Sequence, residues 1–342
     1  MITVDEIRKR ARSALPNTTY RQFADSPTIR EYTRWSVFDE AFSKDGTVRV
    51  TGAVGASSVP RFSFDPTAHR ALAEHFSRID VLHIASGNEI ASDTVSGHGR
   101  LHVFLCISGE REIVLDDRAV GGSKSVTYDV FLRPGARATI YHYVRSENPH
   151  YVHVRVHGDE RSSLRAVIVA RATEAHVHYE LFPAEGADLV VDALLLEGGT
   201  DLVVDGVGAP HARISSRSIL LSSVGSFLVS RGRLSAPLPS KEASLSADVL
   251  YLSSGGLAVG VPELSVDDPS VSEARHGVRS IALSPEALFY LESRGLSPGD
   301  ALHMYVEGIL ASVVGSRVLG QQWVSESVAS FVESLLRQSA SE

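Results

Sequence analysis

Between residues 80 and 282 apolar and polar positions alternate with a period of two, whereas on either side apolar residues recur every three or four. Segments such as "VLHIAS", "RLHVFLCIS", "REIVLDD", "ATIYHYV", "YVHVRVH" and "RAVIVAR" alternate or form short β-branched runs. Successive side chains of a strand point to opposite faces, so this region predicts some 200 residues of consecutive short strands. The flanks predict helices. Thr3 and Glu6 form a T-x-x-E capping box that opens a helix over 4–15. Ser26-Pro27 and Asp65-Pro66 each offer an N-cap followed by proline at the first helical position, where a missing N–H costs nothing. Ala71, Leu72 and Phe76 carry the second of these to about residue 78. Ser284-Pro285 and Ser297-Pro298 repeat the device after the strands, with Gly295 as a left-handed stop between them. Ala301, Leu302, Tyr305, Ile309 and Leu310 share one helix face, and Val324, Val328, Phe331, Leu335 and Leu336 stripe a third helix over 322–337. The chain therefore divides into a helical region 1–79, a β body 80–282 and a helical region 283–342.

The β body carries a repeat. "DLVVD" occurs at 188–192 and again at 201–205, and short apolar runs follow at intervals of roughly 8–13 residues. Such spacing fits the coils of a solenoid, in which each rung covers its neighbour's apolar face. It also fits a sandwich or barrel. Asn-Gly, the strongest hairpin signal, is absent, while Gly-Gly at 198–199 and 255–256 can turn either a hairpin or a coil. Spacing alone puts a parallel β-helix slightly ahead of a sandwich.

Composition narrows the function. The 342 residues are 43% apolar and carry a formal charge of −8 without a basic run, which argues against a nucleic-acid-binding surface. No stretch approaches the ~18 apolar residues of a membrane helix. The N-terminus has no apolar core of a secretory signal, so a cytoplasmic protein is expected. Cys106 is the single cysteine, which excludes an intrachain disulfide and a CxxC metal site. Its alternating setting reads as a small buried apolar residue. The fourteen histidines include two clusters. "NPHYVHVRVHGD" sets His153, Arg155 and His157 on one strand face, read as a solvated basic surface, with His153 and His157 ~13 Å apart and too distant to share a metal. "AHVHYELFPAE" sets His176 and His178 ~7 Å apart, close enough for one ion. With Glu180 and Glu185 following at ill-fitting offsets, this pair supports a rival reading as a cupin-type metal enzyme. No Walker A loop, dinucleotide fingerprint or Ser/His/Asp context is present.

The stretch "LSPEALFYLESRGLSPGDALHMYVEGIL" resembles the SufB/SufD family of iron–sulfur cluster assembly proteins. In that family a strand region ends at a Cys-x-His-Gly-type motif. A helix of the form E-x-L-F-Y-L-x-S-R-G-[IL]-S follows, then a helix ending in E-G-F-L. Here Ala287 to Leu291, Ser293, Arg294, Gly295, Leu296 and Ser297 match the first element. Ala301, Glu307, Gly308 and Leu310 match the second. More loosely, "ASLSAD" (243–248) and "VPELSV" (261–266) match upstream family motifs. The resemblance implies a right-handed parallel β-helix flanked by helices that acts as a non-catalytic scaffold. It implies dimerisation through the last rungs, with a SufB-like subunit or a second copy. It further implies docking of a SufC-like ABC ATPase through 284–310, with Leu288, Tyr290, Arg294, Tyr305, Glu307 and Leu310 as contact candidates. Ala274 stands where SufB-like chains carry the motif cysteine, and His276 retains the histidine of SufD-like chains. The ligand pattern is therefore SufD-like, with His276 as a candidate ligand to a transient iron–sulfur cluster shared with a partner, and no cofactor tightly bound by the isolated chain. A diverged structural β-helix dimer without a cluster role is the other alternative.

Overall fold

The computed structural model describes residues 2–20, 33–43, 46, 48–50, 54–55, 58–59, 69–79, 81–86, 92–281 and 283–339. The N-caps expected at Ser26 and Asp65 lie outside them. The β body is a parallel solenoid of about seven turns. Each turn has two arms. First arms 110–119, 137–146, 163–172, 188–196, 213–223, 244–254 and 273–280 pair in parallel, each with the next. Second arms 99–107, 124–132, 150–158, 175–183, 199–207, 227–236 and 257–266 do the same along the other side. Ser163, Asp188 and Arg213 occupy one register position in successive turns, so a turn here takes 25 residues. The two "DLVVD" runs fall on the two arms of a single turn; the thirteen-residue repeat is half a coil.

The Gly-Gly pairs turn the chain from first arm to second. Gly198 has φ +79°, and a Cβ there would lie 2.1 Å from the Ala172 carbonyl oxygen of the turn before. At Gly256 a Cβ would lie 2.2 Å from the Ser223 carbonyl oxygen. Neither corner admits a side chain, because the stacked turns leave no room for one.

Side chains pointing into the coil form one continuous core, for example Leu164, Ala166 and Ile168 of one arm with Val177, Tyr179 and Leu181 of the facing arm. Burying each large aliphatic side chain stabilises the stack by about 1.5–3 kcal/mol. The outer face of the first arms is apolar as well, with Val167, Val169, Leu194, Leu196, Ile219 and Leu221 buried there. Runs such as "AVIVA" and "ALLLE" are apolar on both faces because both faces are covered.

The cover consists of helices. At the N-terminal side α1 is Val4–Ala14, α2 Asp39–Ser43 and α3 Arg70–Ser77; at the C-terminal side α4 is Pro285–Ser293, α5 Pro298–Val314, α6 Ser316–Leu319 and α7 Gln322–Ser339. α5 and α7 lie on the first arms through Leu302, Val306, Leu310, Val313, Val328 and Phe331. α1 and α3 lie on the second arms, with Ile7, Ala11, Leu72 and Phe76 against Phe104 and Phe131. The expected caps form. The Thr3 hydroxyl accepts from Glu6 N, that of Ser284 from Ala287 N and that of Ser297 from Asp300 N. Gly295 takes φ +94° at the stop. The N-terminal region is not wholly helical. Val48–Val50 and Val54–Gly55 pair antiparallel with the first solenoid strands, pieces too short to leave a periodic signal in the sequence. No described helix is long and apolar enough to cross a membrane.

Candidate functional site

The last turn is built differently from those before it. Among the described residues, strands Leu257–Val266 and Glu273–Ser280 each pair on one side only. Their side chains are exposed or half-buried, including Leu257, Val266 and Val278 at 46%, 43% and 41% exposure. An unpaired strand edge with apolar neighbours is a template for another chain.

His276 sits on this last strand, beside Ala247 of the preceding turn, and is exposed. Its Nδ1 lies 3.1 Å from the Pro262 carbonyl oxygen. A carbonyl only accepts, so Nδ1 carries the hydrogen and Nε2 keeps the lone pair. Metal-ligating histidines are held in this way, the spare N–H given to a carbonyl. Around it are Arg275, 3.1 Å from Glu273 and 3.7 Å from Asp248, and Arg279, 3.8 Å from Asp248. Ala274 supplies no donor. Cys106 lies seven turns away on the arm 99–107, roughly 34 Å at ~4.8 Å per strand, so it cannot ligate the same group as His276 of its own chain. Burial pushes its thiol up, against the opposing pull of Arg133, and it packs on the apolar cluster beneath α1. It is a half-buried packing residue.

The helices that follow carry the remaining sequence candidates, and they divide. Tyr290 is 55% exposed, with the Arg294 guanidinium 5.1 Å over its ring. Glu307 is half-buried, 3.9 Å from His303, and Tyr305 is half-buried too. Leu288 is partly buried against the helix–solenoid core. Leu310 is fully buried in that core, so it is a packing residue and not a surface contact. Its i, i+4 partners Leu302, Val306 and Val314 face the solenoid with it. The exposed apolar surface is instead Phe289 at 73%, Tyr290 and Met304 at 52%.

The outer face of the second arms overturns one expectation. His153 is fully buried and Arg155 is 5% exposed, so "YVHVRVH" does not present a solvated basic face. The cover of N-terminal helices excludes water, and carboxylates of adjacent turns take water's place. Asp129, Arg155, Glu180, Asp205 and Arg233 occupy one column in successive turns. Asp129 accepts from Arg155 at 2.7 Å and bonds His102 Nε2 at 2.6 Å. Burial alone would raise the Asp129 carboxyl, but Arg155 and His102 outweigh it and hold the group ionised.

The cupin reading falls as well. The strands form an open parallel stack, and the two histidines of "AHVHY" are held apart by different acids. His176 Nδ1 lies 3.0 Å from Asp201, and His178 Nε2 lies 3.0 Å from Asp205. Glu185 is exposed at a corner. Among the described residues, the groups able to converge on an ion are His69, His153 and His178, and His178, Glu180 and Asp205; neither includes His176.

The buried histidines set an acid limit on stability. Burial, with His102 and Arg100 nearby, holds His75 well below its ordinary value of 6.5, and burial likewise lowers His102 against the pull of Asp129. Such groups are neutral in the fold and take up protons on unfolding. Their stabilisation is therefore present above about pH 6.5 and is lost as pH falls below it. The urea midpoint is expected to drop between about pH 7.5 and about pH 5, ahead of carboxylate titration. A midpoint constant over that range would contradict this assignment.

The fold and site together define a parallel β-solenoid protein with helices over both faces and an open final turn. Residues 96–309, more than half of the chain, match the family model described as SUF system FeS cluster assembly, SufBD core domain. Similar curated proteins include an iron–sulfur cluster assembly SufBD family protein of Archaeoglobus fulgidus, 31% identical over 122 residues, which is 36% of this chain and 32% of that protein. Another of the same description, from Methanothermobacter thermautotrophicus strain Delta H, is 31% identical over 117 residues, 34% of this chain and 28% of that protein. The matched stretch thus spans about a third of each relative's length. The chain belongs to the SufBD family of iron–sulfur cluster assembly proteins.

Proposed function

We propose that this chain is a SufD-like scaffold subunit of a cytoplasmic iron–sulfur cluster assembly complex, not itself an enzyme. It pairs through its last turn with a SufB-like subunit or a second copy, and couples to a SufC-like ABC ATPase through residues 284–310. The observation that carries the reading is the open final turn with an exposed, carbonyl-held imidazole on it. A partner strand added at that edge extends both ladders and covers Val266 and Val278. Such pairing brings His276 Nε2 into the joint, where one nitrogen donor from this chain joins thiolates from a cysteine-bearing partner around the nascent cluster. The cluster is cargo and leaves with its acceptor. The ATPase grips Phe289, Tyr290 and Met304, with Arg294 and Glu307 at the rim. Because α5 packs on the solenoid core, movement of the helices strains the stack and opens the joint.

His276→Ala removes a solvent-exposed ring and should leave the melting temperature within a degree or so. In the reconstituted complex it is expected to cut cluster formation, followed by visible absorption and iron content, at least tenfold. Cluster formation at the parental rate would remove His276 from the ligand set.

A further inference from the structure

We propose that His69, His153 and His178, with Glu180 as fourth ligand, form a buried site for a divalent transition-metal ion of the zinc class, pinning α3 to the solenoid. His153 and His178 lie in register on adjacent turns, their ring centroids 4.5 Å apart. His69, the N-cap residue of α3, stacks 5.4 Å from His153 and 5.8 Å from His178. One donor atom from each of the three histidines lies within 4.8 Å of the others, and all three rings are buried. Ligands about 2.05 Å from a tetrahedral zinc are about 3.3 Å from each other, so donors at the 4.8 Å limit close by up to about 1.5 Å, with the stacked rings turning to aim their lone pairs at one point. The pair formed by His153 Nε2 and Glu180 Oε2 is already at 3.0 Å.

Two further observations point to a cation. Glu180, buried, and Asp205, half-buried, stand directly opposite each other in adjacent turns as a like-charge pair, and His178, Glu180 and Asp205 form a second converging group that shares His178 with the first. The outer partners that ligating imidazoles use are also present. Tyr151 Oη bonds His153 Nδ1 at 3.0 Å, and Asp205, itself gripped by Arg233, bonds His178 Nε2 at 3.0 Å, leaving Nδ1 as donor. Three imidazoles take three positions and Glu180, bonded to His153 Nε2, is drawn in as the fourth, which makes the ion structural and joins chain segments far apart in sequence. This site is separate from His276, and it departs from the expectation that the isolated chain binds no metal tightly.

The test uses the full chain stripped with a chelator and titrated with zinc, then with cobalt. One equivalent of zinc is expected, and cobalt should give the strong visible bands of a four-coordinate site. His69→Ala and His153→Ala should each weaken uptake at least tenfold, while the surface variant His211→Ala leaves it unchanged. Zinc should also slow amide exchange in residues 70–77 of the parent but not of His69→Ala. Because His69 belongs to the covering helix, its loss leaves the ladders in place, which circular dichroism checks. Failure of the stripped chain to take up zinc, parental affinity in His69→Ala, or loss of binding in His211→Ala would each overturn the proposal. None of these outcomes bears on cluster assembly, which is read at His276.

Discussion

A Phe289→Asp, Tyr290→Asp double variant is expected to lose capture by a SufC-like ATPase in co-purification, by a hundredfold or more in affinity, with no change in melting temperature. Large, exposed aromatic side chains on one helix are the groups that dominate interfaces, and an acid in their place leaves a charge facing a desolvated pocket. Both side chains are exposed, and the contact Tyr290 makes is with Arg294 at the end of the same helix, outside the core. Leu310→Asp is the contrasting variant. It places a carboxylate in the helix–solenoid core, so it should fail by unfolding, at a cost of about 3–5 kcal/mol, and not by selective loss of binding. Undiminished capture by the double variant would move the docking surface elsewhere.

The second large effect lies inside the coil. Asp117 and Lys124 form a fully buried ion pair, with Tyr128 Oη donating to Asp117 at 2.8 Å and His150 Nε2 3.2 Å from it. Burial works against both charges. It is outweighed at Asp117 by Lys124 and His150, and it pulls the Lys124 ammonium down despite Asp117. Asp117→Asn keeps the shape but leaves the ammonium without its carboxylate. It is expected to cost about 3–5 kcal/mol in chemical denaturation. The double variant Asp117→Asn, Lys124→Met removes both charges and should recover more than half of that loss. A double variant no better than the single one would mean that the cost comes from packing and not from charge.

Much of this was legible along the chain, for physical reasons. Thr3, Ser284 and Ser297 announce helix starts because capping is local, and Gly295 announces a stop because few other residues adopt its backbone. Strand periodicity was equally plain. Alternation alone leaves solenoid and sandwich open, because it reports which face a side chain takes and not which strand lies beside it; the SufB/SufD-like stretch after the strands is what points to the parallel β-helix that the structure has. The corner glycines decide it only once Ala172 and Ser223 are known to press on them. The histidine face was misread for the same reason. His153 and His178 are twenty-five residues apart and meet only through the register of adjacent turns, and the helix bringing His69 comes from a remote part of the chain. The thirteen-residue "DLVVD" spacing, half of a turn, was the one signal that could have predicted that register. Periodicity puts Leu310 on the correct helix face, but that face looks inward, onto the solenoid. Helical periodicity identifies an apolar stripe without saying what covers it, and the apolar outer face of the first arms was the missing partner.

The stacking of like turns has an evolutionary corollary. Each added or deleted turn changes the length of the rod by about 4.8 Å and leaves the chemistry at its two termini as it was. Gene duplication can therefore act on this molecule as on a ruler, adjusting the distance between the first strands and the open final turn in fixed increments.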